Sequence, residues 1–296
     1  MNKYRCYVCG SEDTSPKLVE APIEQRFGMP VLPSEDYRQN QCKNCGLLFV
    51  TCDVTEDYLN KLYSSESVEW QKDFRQADTS VGNARLAEFH SLAHTMIAAD
   101  TNGYAGRRKL LDFGCQTGEF GAIVQKLANV EPSGVEMSED YAGHARTSWG
   151  EGQVHVGSLD KAPFDKGSFD FISAQETLEH LVDPQRTLTQ LRALLKDGGI
   201  ILISVPSSDY FIFKKRVFDM VGRKGAALVH THLYNFTPKS LSQMLEQSGF
   251  ETLQTFGIGW HGKAETIGNA ISGAINAATL KSRVFSPSVV ALARAV

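Results

Sequence analysis

Nowhere in the 296 residues does an apolar run approach the length that spans a membrane, and the opening MNKYRCYVCG has no hydrophobic core of the kind a secretory signal carries. A cytoplasmic protein without a membrane span is expected. Positive charge is also short: 30 Lys and Arg face 34 Asp and Glu, for a formal net charge of -4. A general attraction to nucleic acid is therefore not expected. Internal repeats and low-complexity tracts are missing as well, and no cysteine follows Cys115. What remains is the composition of a soluble globular protein, 42% hydrophobic and 22% charged, long enough for one large domain and a small module.

The six cysteines crowd into the first part of the chain, at Cys6, Cys9, Cys42, Cys45, Cys52 and Cys115. Four of them form two C-x-x-C-G knuckles, CYVCG and CKNCG. With this spacing two short turns offer four thiolates to a tetrahedral zinc ion, and the trailing glycine permits each tight turn. Such a site is closed and structural. Its expected task is to hold a segment too small for its own core, where bound zinc supplies on the order of 10 kcal/mol of folding free energy. Cys6, Cys9, Cys42 and Cys45 are thus the expected zinc ligands, and Cys52 and Cys115 read as small buried residues. Residues 1–55 read as a zinc ribbon, with short strands around Tyr37 to Gln41 and Leu47 to Val50.

Residues 56–104 read as a helical connector packed on the main domain. In ARLAEFHSLAHTMIAAD the apolar positions Leu86, Phe89, Leu92, Ala93, Met96 and Ile97 recur at helical spacing, and Gly103 ends the pattern. Beyond it, residues 105–296 alternate: LLDF, a helix from Phe120 to Ala128, SGVEM, a helix near Tyr141 to Thr147, QVHV, and FDFISAQ. A helix with Leu188, Leu191, Leu194 and Leu195 on one face follows, then GIILISVP, the helix TPKSLSQMLEQSG and the strand FETLQTFGI. An alanine-rich helical stretch precedes a last strand in SVVALARAV. Alternation of this kind implies an α/β fold with a doubly wound parallel sheet and helices on both faces.

KLLDFGCQTG, residues 109–118, is a strand that ends in Asp112 and breaks into a glycine loop before a helix. Glu136 waits at the end of the next strand. A strand, a glycine turn and a helix N-terminus together present backbone N–H groups to a nucleotide-like ligand. The loop is not the G-x-G-x-x-G of nicotinamide binding. Its acidic residue two before Gly114 and its closing Gly118 resemble motif I of the class I S-adenosylmethionine-dependent methyltransferases. The resemblance continues in order through GSLD at residues 157–160, FDFISAQETLEHLVDP, KDGG and HLYNFTPKSLSQMLEQSGF, and covers nearly everything from about residue 105. It implies a Rossmann-like sheet of seven strands beside the zinc ribbon. It also implies that the loop and Asp112 hold the methionine end of the cofactor, Glu136 and the adjoining Met137 the ribose side, Ser158 and Leu159 the adenine, and Gln175 the sulfonium end. Gln116 departs from the family, which usually has glycine there and so a closer approach.

Methyl transfer from a sulfonium is a direct displacement, so the protein has to align the acceptor and, where needed, remove a proton. His180 is the best base, because it follows a strand end at the cofactor edge and titrates near neutral pH; Glu179 orients it or acts itself. Both serve equally well as braces for the helix beginning near Asp183. His230, His232 and Tyr234 are second candidates, each also open to a packing or surface role. The segment 207–225 sets Tyr210, Phe211, Phe213 and Phe218 among Lys214, Lys215, Arg216, Arg223 and Lys224. It reads either as an acceptor lid for an anionic or amphipathic substrate or as an amphipathic surface helix. Tyr58, Tyr63 and Trp70 either cover the cofactor or pack in the core.

The chain resembles bacterial enzymes that join an N-terminal zinc module to this fold and act on sugars or on secondary-metabolite and polysaccharide precursors; the extra C-terminal domain of the sugar C-methyltransferases among them is not expected here. A small-molecule methyltransferase is the leading expectation. An RNA methyltransferase with a zinc module is the alternative enzyme. The low charge opposes it, the absence of cysteine after Cys115 excludes the cysteine route to pyrimidine C5, and AQET is not the N/D-P-P-aromatic signature of adenine methylation. A non-catalytic cofactor-binding adaptor is the alternative from another class. The acceptor, the atom methylated and the oligomeric state are not legible.

Overall fold

A computed structural model describes residues 5–18, 39–51, 55–57, 59, 79–101, 106–149, 153–220, 232–259 and 286–296. The strand order of the larger sheet, which has seven strands, follows from where its apolar runs lie. β4 (Arg108–Phe113) has β5 (Val130–Glu136) and then β6 (Gln153–Val156) on one side. On the other side lie β7 (Phe169–Gln175), β8 (Leu195–Pro206), β11 (Ser288–Ala295) and β10 (Phe250–Ile258). The pairings from β6 to β8 are parallel, and β11 runs antiparallel to both of its neighbours. Every residue of β7 is buried, the signature of a strand covered on both faces.

Side chains in a strand alternate between faces, and the core divides accordingly. Leu110, Phe171, Ile200 and Leu202 join Phe89, Leu92 and Met96 of α1 (Thr79–Ala98) and Phe120, Ile123 and Val124 of α2 (Glu119–Leu127). Their neighbours Leu111, Ile172, Ile201 and Ile203 point the other way. They pack on Leu188 and Leu191 of α4 (Pro184–Leu194) and on Leu241, Met244 and Leu245 of α6 (Pro238–Gln247). α3 (Glu139–Trp149) and α5 (Ser208–Met220) complete the described helices. The helical spacing around Phe89 is realised, although Leu86 at its edge is exposed. Leu195 is a correction to the sequence reading: it starts β8 after the helix has ended, and its buried side chain joins the same core from the strand.

A second sheet has the order β1 (Thr14–Leu18), β2 (Gln39–Cys42), β3 (Leu48–Val50), β9 (Tyr234–Asn235). Its first three strands come from the cysteine-rich segment and its fourth from the chain just before α6. The Val50 N–H donates to the Leu233 carbonyl at 2.9 Å, and Phe49 pairs with Tyr234. Cys52, Tyr58, Tyr63, Trp70, Arg223, Lys224, His230, the alanine-rich stretch and the side chain of Phe218 lie outside the described residues.

Candidate active site and metal centre

The reversal of strand order falls between β4 and β7, and a parallel sheet opens a crevice at the carboxyl ends of its strands at that point. Four strand ends line up along this edge. Gln175 closes β7, Asp112 lies near the end of β4, Glu136 closes β5, and Ser158 follows β6, whose Val156 pairs with Glu136. A cleft opens here, lined by Asp112, Gly114, Cys115, Gln116, Thr117, Glu119, Phe120 and Gln175, with Arg85 and Phe89 of α1 closing one side.

Asp112 is 2% exposed and accepts a 2.6 Å hydrogen bond from Ser173 on the adjacent strand. Burial pushes its carboxyl up to about 7, opposed by the Ser173 hydroxyl and reinforced by the charge of Glu136. A cationic group in the cleft would reverse that shift. Both side-chain atoms of Gln175 are buried without a hydrogen-bond partner, although the residue lines the cleft. A polar ligand is what such an orphaned amide fits.

The loop glycines have separate reasons. Gly114 has φ 74, and a Cβ there would lie 2.4 Å from the Thr177 hydroxyl. Its bareness lets the turn after β7 close against the loop. At Gly118, φ is 80 and a Cβ would meet the Trp149 indole at 2.7 Å; the same indole N–H donates to the Gly118 carbonyl. Gly118 thus starts α2 and seats Trp149. Cys115, beside it, is buried against Ala145 and Trp149 as expected of a packing cysteine.

Gln116 occupies the family's glycine position in the left-handed region, at φ 49. Its N–H donates to one carboxylate oxygen of Glu136 and the Ser138 N–H to the other, each at 2.9 Å. Met137 continues the chain between these contacts. The Gln116 side chain turns outward, where its carbonyl accepts from Arg85 at 3.2 Å. Arg85 is the lining residue that sequence reasoning missed. It sits one turn before Phe89 in α1, and only the fold brings that helix end over the loop. Leu159 is buried in the turn that Ser158 begins.

Glu179 and His180 lie in a short 3-10 turn, Leu178–His180, four and five residues beyond Gln175. The structure brings His232 to them: the two imidazole rings are 4.8 Å apart, and their Nε2 atoms lie 3.6 Å (His180) and 3.9 Å (His232) from Glu179 Oε1. Leu233 N–H donates to the Glu179 carbonyl at 2.7 Å, which ties the two segments together. Burial, then the charge of Glu176, raises the Glu179 carboxyl well above its usual range; burial, then His180, lowers His232 well below its own. Tyr234 is placed elsewhere, donating to the Val182 carbonyl and stacking near Tyr7. Asp183 caps α4 through the Arg186 N–H, so Glu179 and His180 are not that helix's cap.

The four knuckle cysteines converge. Cys6 and Cys45 Sγ are 3.5 Å apart, as are Cys9 and Cys42, and all four lie within 4.8 Å of one another. Four sulfurs at about 2.3 Å from a tetrahedral centre are spaced in this way. Gly10 and Gly46, at φ 68 and 80, turn each knuckle as expected. The thiol of Cys6 is pushed down to about 5, first by the hydrogen bond from Cys45, whose own thiol is raised. Sulfurs sharing one negative charge in this way are a donor set suited to a soft or borderline cation.

Residues 84–255 match the family described as "Methyltransferase domain". The chain belongs to this family and is an S-adenosylmethionine-dependent methyltransferase of the class I, Rossmann-like fold. Among curated relatives, a ubiquinone biosynthesis O-methyltransferase of Coxiella burnetii is 28% identical over 166 residues, 52% of this chain and 68% of that protein. A demethylmenaquinone methyltransferase of Chlorobaculum parvum is 26% identical over 165 residues, 50% of this chain and 68% of that one. The crystal structure of magnesium protoporphyrin IX methyltransferase from Synechocystis PCC 6803 with bound SAH superposes with a TM-score of 0.56 at 12% identity, over 82% of this chain and all of the other. Among the described residues, no helix is long and apolar enough to cross a membrane.

Proposed function

We propose that the chain methylates a small-molecule acceptor, with the cofactor in the cleft between β4 and β7 and the acceptor beside the Glu179, His180 and His232 cluster. The observation that carries this reading is the succession along one loop of Gln175, an orphaned amide in the cleft, and the carboxylate and imidazoles that follow it. The cofactor, when bound, supplies the electrophilic methyl group. Asp112 is suited to its amino group, Arg85 to its carboxylate and Glu136 to its ribose, with Gly118, Met137, Ser158 and Leu159 completing the site from the sheet edge. His180, the most accessible member of the cluster with its side chain 20% exposed, is suited with Glu179 to handle the acceptor's proton. Relatives named for quinone methylation support a small-molecule acceptor, as a sugar, polysaccharide or secondary-metabolite precursor would also be. The low net charge favours such an acceptor over RNA.

The four cysteines hold a structural zinc ion in this reading, and residues 1–55, 56–104 and 105–296 are its zinc ribbon, connector and catalytic domain. Incubating protein and cofactor with quinol, sugar and RNA acceptors and weighing the products tests it. A mass gain of one methyl group on a small acceptor is expected. Transfer only to RNA, or to nothing while the cofactor binds, overturns it.

A further inference from the structure

Glu179 is 0% exposed, and neither of its carboxylate oxygens has a hydrogen-bond partner. An ionised carboxylate buried in this way costs several kcal/mol unless a cation or a proton meets it. What faces it sharpens the problem. Glu176 brings a second carboxylate whose buried Oε1 is unpartnered, and it is held at φ 47, a strained conformation for a side chain of its size. Two imidazoles complete the surround, and the buried Nδ1 of His232 has no partner either.

From this geometry we infer that Glu179, His180 and His232 bind a divalent metal ion, a second site distinct from the four cysteines. One donor atom from each lies within 4.8 Å of the others, so a single ion about 2.0–2.2 Å from each is within the reach of small side-chain rotations. Two imidazoles and one carboxylate suit zinc, manganese or iron in the divalent state, and not calcium, which takes oxygen. Three protein donors leave coordination positions open, as catalytic metal sites do and structural ones do not.

This inference rests on the acceptor lying beside the cluster, and it deepens that reading. An acceptor oxygen bound at an open position would become more acidic, its proton leaving to water while the O–H bonding pair remains on the oxygen, ready to attack the methyl carbon. His180 then serves as a ligand and hands its role as proton acceptor to solvent.

The test uses full-length protein carrying its cysteine-bound zinc. Manganese(II) alone is titrated and free manganese is read by electron paramagnetic resonance, for the wild type and for Glu179→Gln, His180→Ala and His232→Ala. One equivalent bound by the wild type is expected, with affinity weakened at least about tenfold in each variant. After the labile metal is removed by dialysis, metal analysis is expected to find one zinc in every protein, held by the four cysteines as the folding control, and cofactor titration by calorimetry is expected to be unchanged. No manganese bound by the wild type, or binding equal in all four proteins, overturns the site. Intact cofactor binding in that case leaves the methyltransferase reading standing, whereas loss of cofactor binding by the wild type would strike that reading instead.

Discussion

Asp112 carries a conflict between stability and binding. Its carboxyl rises from 3.8 to about 7 on folding, so between these values the folded protein holds a proton that the unfolded chain has released. The stabilisation linked to this proton is complete below about pH 4, declines as pH rises and is lost above about 7. It amounts to roughly 4 kcal/mol if Asp112 acts alone. The cofactor's ammonium group asks for the opposite state. Its affinity should fall about tenfold per pH unit below pH 7, because a proton must leave Asp112 before the ammonium can pair with it. Calorimetric titration at pH 8.0, 7.0 and 6.0 checks the slope. Asp112→Asn should abolish measurable binding and flatten the decline in thermal stability of the cofactor-free protein between pH 5 and 8. A variant that binds like wild type would refute the contact.

Gln116 is also explained at this scale. Its left-handed backbone is what the family's glycine would adopt freely, at a strain here of roughly 1 kcal/mol. In exchange its side chain holds Arg85 over the cleft. Gln116→Gly should therefore leave stability within about 1 kcal/mol of wild type while weakening cofactor binding, and Arg85→Ala should weaken it similarly. Unchanged affinity in both, by the same titration, would remove Arg85 from the site.

Among the elements, α6 shows how the two sheets are joined. The Thr237 hydroxyl accepts from the Ser240 N–H and the Ser240 hydroxyl accepts from the Thr237 N–H, closing a capping box; the Thr237 hydroxyl also donates to the Cys45 carbonyl at 2.6 Å. One side chain ends a cysteine knuckle and begins a helix. Thr237→Ala should cost about 2 kcal/mol, the upper end for a lost cap, measured by urea denaturation. Thr237→Ser should recover most of it.

The helix was legible from Thr-Pro and the closing glycine, and β10 is FETLQTFGI as read, because capping and apolar alternation are local signals. So were the knuckles and the run of strand ends at Asp112, Glu136 and Gln175. β9 was not, since two residues carry no periodicity and their partner β3 lies some 185 positions earlier. For the same reason His232 reads as a lone histidine until that pairing delivers it to Glu179. Arg85 is hidden differently, on a helix whose register is clear but whose docking over the loop is tertiary.

At the scale of the molecule, the cysteine segment is wired into the catalytic half. Beyond β9 and Thr237, the Ser208 hydroxyl donates to the Gly46 carbonyl at 2.8 Å and Lys239 to the Asn44 carbonyl at 2.8 Å. Tyr7 donates to Asp183, the cap of α4. Removing zinc with a chelator should therefore do more than melt a small module. The knuckles would lose on the order of 10 kcal/mol of holding energy, β3 would release β9, and residues 232–237 would lose their partner while β4 and β7 remain paired in the larger sheet. Hydrogen exchange read by mass spectrometry checks this. Protection should vanish together in residues 39–50 and 232–237 and persist in 108–113 and 169–175. Cys42→Ser with Cys45→Ser should reproduce the pattern without chelator. Protection lost in 39–50 alone would mean that the strand pairing does not couple zinc to His232, and that the two halves open independently.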